Sequence, residues 1–491
     1  MVIPLYLLRP RLAQRLGHEN AGSSQQPVGY FQRATPLPAM LASGGIGICS
    51  QRSEPLHLRY FWPHRMSAHR LLNSRFIALA IILLAGIFLR LPPALFQKPE
   101  GPLRSLVALH PQPGSDQLGF DEALYRDYTD KLIRFGLISY PEIVERYREK
   151  QQTLTGSILP PVRFLYIFSA YLWHQLFGSA TLSCLKNVSA VFTMFTLLLV
   201  TVFAARVGGF CYAIGVGALI VFAPTQLHMS QHALVDGFFT FWAMLVLWSL
   251  WENLRAPKDW RWLLLYTVAL TATILTKENA FFVWVAVVAI LIANHWLKFG
   301  TVTRELLLAT VVGPTLGVVL LGMLAGGAGP LIATYQLSVS KNYELKYAIL
   351  TGDGPWHRYL VDLMLVSPIV LLLAIGSVFN LARAKKAEWF FLIFIAASYL
   401  VMCNVKYGMN LRYANMWDLP LRVLAFSQIL VLIGFVAQRW RSIALFAAVG
   451  LTCALEMRNY VVMAVEYPLY ELVSPELMRG LKILKSPADL K

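Results

Sequence analysis

Long apolar runs recur along most of this chain and constrain its fold more than any other feature. A helix needs roughly 17–25 apolar residues to cross the hydrocarbon layer of a membrane. Runs of about this length lie at 74–93, 184–205, 210–230, 237–254, 261–276, 279–297, 305–327, 360–381, 389–405, 414–437 and 441–457. Only 14% of the 491 residues are charged, against roughly 25% in soluble domains. The pattern predicts an all-α polytopic membrane protein with about eleven transmembrane helices.

One further apolar stretch, 161–178, decides the predicted topology. Basic residues favour cytoplasmic loops, so Arg70 and Arg75 place the start of the first span inside. Later basic clusters lie at 255–261, 298–304, 383–386 and 439–441. If 161–178 crosses the membrane, these clusters fall outside, and if it lies on the surface, they all fall inside. We therefore expect an amphipathic or re-entrant helix at the outer face, within a long outer loop, 94–183, that contains short surface helices.

The chain divides into three parts by composition. Residues 1–70 are Arg-rich and irregular and are expected to form a disordered basic arm in the cytoplasm. Met66 is an alternative start, since it leads directly into the first span. The transmembrane domain is expected at 71–457, followed by a short outer tail, 458–491. A transit peptide is the weaker interpretation of the arm.

Charge and cysteine content exclude two other classes of site. The chain carries 43 Lys and Arg against 26 Asp and Glu, a net charge of +17. These basic residues gather in the arm and in short loops, which is typical of membrane topology rather than nucleic-acid binding. No nucleic-acid partner is expected. The cysteines form no paired motif and indicate neither a disulfide framework nor a zinc site: Cys49, Cys184, Cys211, Cys403 and Cys453.

The first outer loop contains an acidic pair, Asp121 and Glu122, within Gly119–Tyr125. Adjacent carboxylates beside a membrane could hold a cation or take a proton from an incoming hydroxyl. The structural alternative is a helix start, where acidic residues in the first turn favour the helix dipole. Side chains of neighbouring helical residues point about 100° apart. The pair is therefore not expected to share one proton.

Cations recur on the same predicted side of the membrane, against the usual bias toward the inside. They are candidates to bind an anionic head group: Lys277, Lys341, Arg358 and Arg412. For Lys277 the alternative is a snorkelling residue at a helix end.

Asp236 also lies in an outer turn, close to His228 and His232. An acid near hydrocarbon costs on the order of 2.5–3.5 kcal/mol if it lies deep. Asp236 must therefore face water, a cation or a partner, or else cap the helix that follows. The histidines are either interfacial or metal ligands at i, i+4 spacing.

Short motifs in a fixed order give the chain a family resemblance. They are Phe120-Asp121-Glu122-Ala123-Leu124-Tyr125, Pro160-Pro161, Leu176-Phe177-Gly178, Ala204-Ala205-Arg206, Pro224 with Asp236, Leu275-Thr276-Lys277-Glu278 and Arg412-Tyr413. Over about 74–440 the chain resembles membrane-embedded glycosyltransferases of the GT-C type. The branch is that of the dolichyl-phosphate-mannose protein mannosyltransferases and the lipid A aminoarabinose transferase.

The resemblance implies an activity and assigns roles. The donor would be a polyprenyl- or dolichyl-phosphate sugar, and the transfer would be inverting, at the outer face. Asp121 would be the catalytic base and Asp236 the second acidic position, with Glu122 supporting Asp121 or holding a cation. Metal use stays open: Asp121 and Asp236 could share a divalent cation, whereas a donor with a single phosphate does not demand one.

Two departures from the family leave the acceptor open among lipid, glycan and protein. The fourth outer loop, 328–359, is short where protein mannosyltransferases carry a soluble insertion. The tail is short where the aminoarabinose transferase carries a soluble domain. The resemblance favours a bacterial inner-membrane enzyme with a periplasmic active face. The alternatives are a transporter or flippase for a lipid-linked or anionic substrate, and a structural membrane subunit.

Overall fold

The protein is all-α in the part of the chain that its computed structural model describes. That part is residues 68–97, 101–112 and 118–485, with side chains from residue 75 onward. Within these ranges every regular element is a helix, so the predicted all-α fold class is confirmed. The expectations for the basic arm and for Met66 as a start lie outside the described residues.

Helix α1, Ala68–Arg90, leads into the long first loop. This loop contains short helices: α2 (Ala94–Gln97), a 3₁₀ turn (Arg104–Leu109), α3 (Phe120–Phe135), a 3₁₀ turn (Leu137–Ser139), α4 (Tyr140–Thr153) and α5 (Phe164–Phe177). The prediction was a loop with short helices, and the described part of the loop has this form. At 14 residues, α5 is about 21 Å long, shorter than the roughly 30 Å hydrocarbon layer. Its length supports the expected surface position.

The main bundle follows the loop. Its first helices are α6 (Thr181–Gly208), α7 (Phe210–Val221), α8 (Pro224–Gln231), α9 (Val235–Arg255), α10 (Trp260–Thr276), α11 (Ala280–Leu297) and α12 (Arg304–Leu324). The remaining elements are α13 (Ala328–Asn342), α14 (Lys346–Thr351), α15 (Arg358–Val366), α16 (Pro368–Val378), α17 (Lys386–Met402), a 3₁₀ segment (Leu411–Trp417), α18 (Asp418–Gly434), a 3₁₀ turn (Gln438–Trp440), α19 (Arg441–Tyr460), a π-helix (Val461–Glu466) and α20 (Pro475–Gly480). Helix α10 packs between α9 and α12, and α16 packs against α18.

The predicted spans coincide with helices in this bundle. By length and apolarity, five of the described helices could each cross a membrane, or six if α7 and α8 form one bent span. Several of the others are shorter, and the 360–381 run is divided between α15 and α16 at Ser367-Pro368. The count of eleven spans therefore stays a prediction.

Arg90 stabilises the bend between α7 and α8. The two helices meet at 57°, because Pro224 begins α8 and cannot continue the hydrogen-bond ladder of α7. The last carbonyls of α7 consequently lack the donors that a continuous helix would provide, and that of Ile220 accepts the N–H of Ala223 at 3.2 Å instead. The buried guanidinium of Arg90 donates to the carbonyl oxygens of Ile220 at 2.8 Å and Val221 at 3.2 Å. A charged side chain at the end of α1 thus provides donors to these carbonyls.

A separate aromatic core fixes the first loop against the bundle. Tyr125 of α3, Tyr140 of α4 and Tyr166 of α5 are fully buried in it, together with Phe238 of α9. Helix α3 ends at Gly136, whose φ of +76° is a conformation that glycine adopts without strain. The loop is therefore a packed part of the fold, and it holds the start of α3 at a defined position.

Candidate active site

The site centres on Asp121 and Arg412, which are far apart in sequence and in direct contact in the fold. Nη2 of Arg412 donates to Oδ2 of Asp121 at 3.0 Å. The Asp121 side chain is 20% exposed, whereas that of Arg412 is 6% exposed. Nη1 of Arg412 is buried and has no hydrogen-bond partner among the described residues. The pair thus combines a solvent-accessible carboxylate with a guanidinium that retains an unpaired N–H donor.

The C-terminal segment completes this pair from the other side. Oε2 of Glu471 lies 3.0 Å from Nε of Arg412, and the guanidinium lies over the ring of Tyr470 at 5.5 Å. Tyr470 also contacts the start of α3, since a Cβ added at Gly119 would lie 2.2 Å from its ring. The carbonyl of Tyr470 accepts a hydrogen bond from Nε2 of His228 at 2.9 Å when that nitrogen carries the proton. The segment predicted only as a short outer tail therefore contributes residues to the site.

Asp236 and Lys277 form a second, deeper ion pair. Nζ of Lys277 lies 2.5 Å from Oδ1 of Asp236, and both side chains are almost fully buried. The ammonium also lies 3.8 Å from the ring centroid of Tyr413, the residue after Arg412. The helix-cap interpretation of Asp236 is wrong, because Leu234 is the N-cap of α9 and the Asp236 carboxylate binds Lys277. Burial lowers the pKa of Lys277 to about 8, although Asp236 opposes the shift.

Glu122 differs sharply from its neighbour Asp121. It is buried, and its oxygens accept the backbone N–H of Gly119 at 2.8 Å and of Ala233 at 2.6 Å. Nδ1 of His232 lies 3.5 Å from the same carboxylate. Burial raises the pKa of Glu122, but the hydrogen bond from His232 and the two N–H donors outweigh it and lower the pKa to about 2. Glu122 thus joins the start of α3 to the turn before α9, and its catalytic assignment stays a prediction.

Arg163 and Glu278 extend the cluster toward α5. The guanidinium of Arg163 is buried, forms an ion pair with Glu278 and donates to the hydroxyl of Tyr125. Glu278 follows Lys277 directly, and its side chain is 43% exposed. The predicted motif Leu275–Glu278 therefore provides one residue to each of two ion pairs.

The other two predicted cations lie elsewhere. Lys341 pairs with Glu344, three residues on, at 3.2 Å. Arg358 donates to the carbonyl of Asp353 at 2.6 Å and lies 3.7 Å from the Asp362 carboxylate. Arg358 lines a cleft that Glu471 also lines. Of the predicted phosphate-binding set, the structure brings Arg412 and Lys277 to the acidic residues.

The described residues contain no group of three or more His, Cys, Asp or Glu side chains placed to share a metal ion. The rings of His228 and His232 lie 4.4 Å apart, centroid to centroid. Their partners are the Tyr470 carbonyl and Glu122. Asp121 and Asp236 each bind a cationic side chain, so a shared divalent cation would have to displace Arg412 and Lys277.

Comparison with known proteins gives one family match. Residues 159–322 match the family model of the dolichyl-phosphate-mannose-protein mannosyltransferases. The match confirms the resemblance seen in the sequence. It spans α5 to α12 and so includes Asp236, Lys277 and Glu278, whereas Asp121 and Arg412 lie outside it. No curated protein matches the chain significantly.

Three solved structures are similar at low identity. ArnT from Cupriavidus metallidurans, bound to undecaprenyl phosphate, is 14% identical, with 84% of this chain and 73% of that chain covered and a TM-score of 0.47. The apo oligosaccharyltransferase of Archaeoglobus fulgidus is 13% identical, with coverages of 81% and 55% and a TM-score of 0.49. AglB of the same organism, in complex with an inhibitory peptide and a dolichol-phosphate, is 14% identical, with coverages of 86% and 57% and a TM-score of 0.48. This chain spans little more than half the length of the archaeal proteins.

Sequence reasoning gave no site role to three residues of the cluster, Arg163, Glu278 and Glu471. Arg163 and Glu278 were visible as charges next to apolar runs, but their pairing depends on how α5 packs. Glu471 was missed because the short outer tail was given no role in the site. The part of the tail at Glu466–Pro475 contains two acids and two tyrosines shortly after the last predicted span. That cluster, on the same predicted side as Asp121, was the available signal.

Proposed function

We propose that the protein is an inverting glycosyltransferase that uses a polyprenyl-phosphate or dolichyl-phosphate sugar and acts at the outer face of the membrane. The acceptor is a lipid, glycan or protein. One observation carries the proposal: a partly exposed carboxylate, Asp121, lies beside a buried guanidinium, Arg412, that has an unpartnered N–H donor. The family match, whose description names a dolichyl-phosphate-linked sugar, supports the donor class.

Arg412 and Lys277 bind the donor phosphate in this proposal. A phosphate monoanion or dianion takes charge-assisted hydrogen bonds from guanidinium N–H groups, often two at a time. The free Nη1 of Arg412 offers the first of these bonds. Lys277 adds positive charge at a second, deeper position, where leaving-group charge is stabilised most strongly.

Phosphate binding also prepares Asp121 for catalysis. Nη2 of Arg412 donates to one oxygen of Asp121. A bound phosphate competes for that guanidinium and frees the carboxylate. Asp121 then accepts the proton of the acceptor hydroxyl, while the acceptor oxygen forms a bond to the anomeric carbon. The bond from that carbon to the phosphate oxygen breaks, and polyprenyl phosphate leaves with the electron pair.

Donor discharge by Asp121→Asn tests the proposal. The full chain in lipid nanodiscs is incubated with a panel of polyprenyl-phosphate sugars, and released polyprenyl phosphate is quantified. General base catalysis typically contributes about 10²–10⁴ in rate, so Asp121→Asn should lose turnover by at least about 10² while it still binds donor. Asp127→Asn, an exposed residue of the same helix that pairs with Lys131, is the matched control.

Two results would count against the proposal. Equal release by wild type and Asp121→Asn would move the base elsewhere, to Glu122 first. If no donor is consumed, but a lipid-linked or anionic substrate crosses the bilayer unchanged, the transporter alternative replaces the transferase.

A further inference from the structure

Two carboxylates face the single guanidinium of Arg412. Nη2 donates to Asp121, and Oε2 of Glu471 lies 3.0 Å from Nε. The Arg412 side chain is 6% exposed and that of Glu471 is 16% exposed, so solvent screens this contact little. One carboxylate is enough to neutralise a guanidinium, and Lys277 has its own partner in Asp236. Glu471 therefore adds a negative charge beside the two cations that bind the donor phosphate in the proposed function.

The position of Glu471 is fixed by neutral donors rather than by Arg412. The hydroxyl of Tyr347 donates to Oε1 at 3.1 Å, and the amide of Asn410 donates to Oε2 at 2.7 Å. Nε of Arg412 lies close to Oε2 but has no hydrogen-bond partner among the described residues, because the contact lacks the required direction. The carboxylate therefore keeps its place and its charge when the guanidinium turns toward a ligand.

The backbone after Glu471 is held in a strained conformation. Leu472 has a φ of +59°, a region that costs energy for a residue with a branched side chain. Its side chain is buried in the core of the main bundle, and this burial holds the strained residue in place. Backbone strain of this kind is concentrated at functional positions. The segment thus presents Glu471 to the site from a rigid anchor.

The proposed reaction changes the charge of the phosphate group. The donor is a phosphodiester with a single negative charge. When the acceptor oxygen bonds to the anomeric carbon, the bond from that carbon to the phosphate oxygen breaks, and polyprenyl phosphate leaves as a monoester with the electron pair. A phosphate monoester carries a charge of about −1.5 to −2 at pH 7. Arg412 and Lys277 alone would therefore bind the product more tightly than the donor, and the product would block the site.

We infer that Glu471 sets the selectivity of this phosphate site for the phosphodiester donor over the phosphomonoester product. The inference rests on the proposed function. Repulsion from a fixed carboxylate grows with the charge of the ligand, so it weakens binding of the monoester more than binding of the diester. At an effective dielectric constant of about 20, a unit of charge several ångströms away changes affinity roughly tenfold or more. Glu471 is thus a specificity-determining residue that promotes release of polyprenyl phosphate.

Binding of two short-chain lipid phosphates tests the inference. The full chain in nanodiscs is titrated at pH 7 with citronellyl phosphate, a monoester, and with methyl citronellyl phosphate, a diester, by isothermal calorimetry, and empty nanodiscs correct for partition into lipid. Wild type should bind the two probes with similar Kd. Glu471→Gln should bind the monoester about tenfold more tightly than wild type, with a smaller gain for the diester. Glu466→Gln, at an exposed acid of the same segment, is the matched control and should behave as wild type.

Glu471→Asp separates the charge of the residue from its shape. Glutamine keeps the length of Glu471, and its amide can bond to both Asn410 and the hydroxyl of Tyr347, which also accepts hydrogen bonds. Aspartate keeps the charge but is one methylene shorter. If the charge sets the selectivity, Glu471→Asp stays close to wild type and only Glu471→Gln gains affinity for the monoester. A purely structural role predicts the reverse, with weaker binding of both probes by Glu471→Asp.

Donor turnover on the same samples gives a second readout. In Glu471→Gln, polyprenyl phosphate should appear in a burst of about one equivalent, followed by a steady-state rate about tenfold below that of wild type, because the product stays bound. Added polyprenyl phosphate should inhibit this variant at about tenfold lower concentration than it inhibits wild type. A structural defect would instead slow the first turnover and raise the KM for the donor.

The results also separate the inference from the proposed function. Wild type that binds the monoester tenfold or more tightly than the diester overturns the inference without any variant. Equal changes for both probes in Glu471→Gln overturn it too. If wild type discharges a donor but shows neither selectivity nor a burst in Glu471→Gln, the proposed function stands and the inference fails. Selective binding without discharge of any donor overturns the proposed function and the release role with it.

Discussion

At the scale of single residues, Arg412 connects the parts of the site, because the three nitrogens of its guanidinium face different groups. Nη2 binds Asp121, Nε faces Glu471 and Nη1 is unpartnered. A lysine offers a single ammonium on a flexible stem and cannot hold three such directions at once. The planar fork is therefore what lets one cation bind two carboxylates and still accept a phosphate.

Arg412→Lys is expected to lower kcat/KM for the donor by about 10- to 100-fold, the equivalent of one or two charge-assisted hydrogen bonds. Arg126→Lys, on the exposed face of α3, should leave it unchanged. Steady-state kinetics of donor discharge measure both variants. Equal kinetics for Arg412→Lys and wild type would show that the fork geometry is not used.

Lys277 gives the site a pH dependence. Its folded-state pKa of about 8 lies below the usual value for lysine, so the ammonium charge is present below about pH 8 and is lost above it. Donor affinity should therefore fall as the pH rises through about 8. Lys277→Arg should abolish this alkaline decline, since arginine stays protonated throughout. A pH profile of the donor KM measures it, and an unchanged decline in the arginine variant would assign the titration to another group.

At the scale of elements, the bend between α7 and α8 brings His228 and the turn before α9 to the site. The sequence predicted one continuous span at 210–230, because apolarity alone does not report a change of direction. Pro224 was the local signal for the break. Its direction depends on Arg90, which is distant in sequence and could not be assigned from the local pattern.

Arg90→Met should destabilise the bend. The substitution keeps an apolar stem but removes the donor of the Val221 carbonyl and one of the two donors of the Ile220 carbonyl, which retains the N–H of Ala223. The cost is on the order of 1–3 kcal/mol. The expected result is a lower thermal unfolding midpoint in nanodiscs than for wild type. Arg439→Gln, at an exposed position between α18 and α19, controls for the loss of an arginine. Equal midpoints for the two variants would mean that water or lipid head groups satisfy these carbonyls.

At the scale of the whole molecule, the sequence predicted the helices and several site residues, but not how those residues pair. Apolar periodicity is local, so the positions of the helices follow from it. Asp121, Asp236, Lys277 and Arg412 were identified from unusual polarity beside apolar runs. Their pairing is a property of packing over long sequence distances. Asp362 could have been identified as an acid within the 360–381 run. The role of Glu471 could not, because the sequence does not show that the C-terminal segment packs against Arg412.

The orientation of the molecule in the membrane is predicted from basic residues alone and has its own test. Reporter fusions within 179–183 should indicate an outer location, and fusions within 255–260 an inner one. These segments lie on either side of α6 to α9. If the 255–260 fusion reports the outside, the contacts of the site are unchanged but the site faces the cytoplasm, and a donor presented at the outer leaflet would not reach it.

The sequence separation of Asp121 and Arg412 also sets a minimum time between their synthesis and the formation of their contact. The two residues are 291 positions apart. At a synthesis rate of roughly 5–20 residues per second, about 15–60 s separate their emergence from the ribosome. Glu471 emerges later still. A nascent chain whose first loop has already reached its final compartment therefore carries Asp121 without its cation, and it gains the complete constellation only after the later helices have been inserted and assembled.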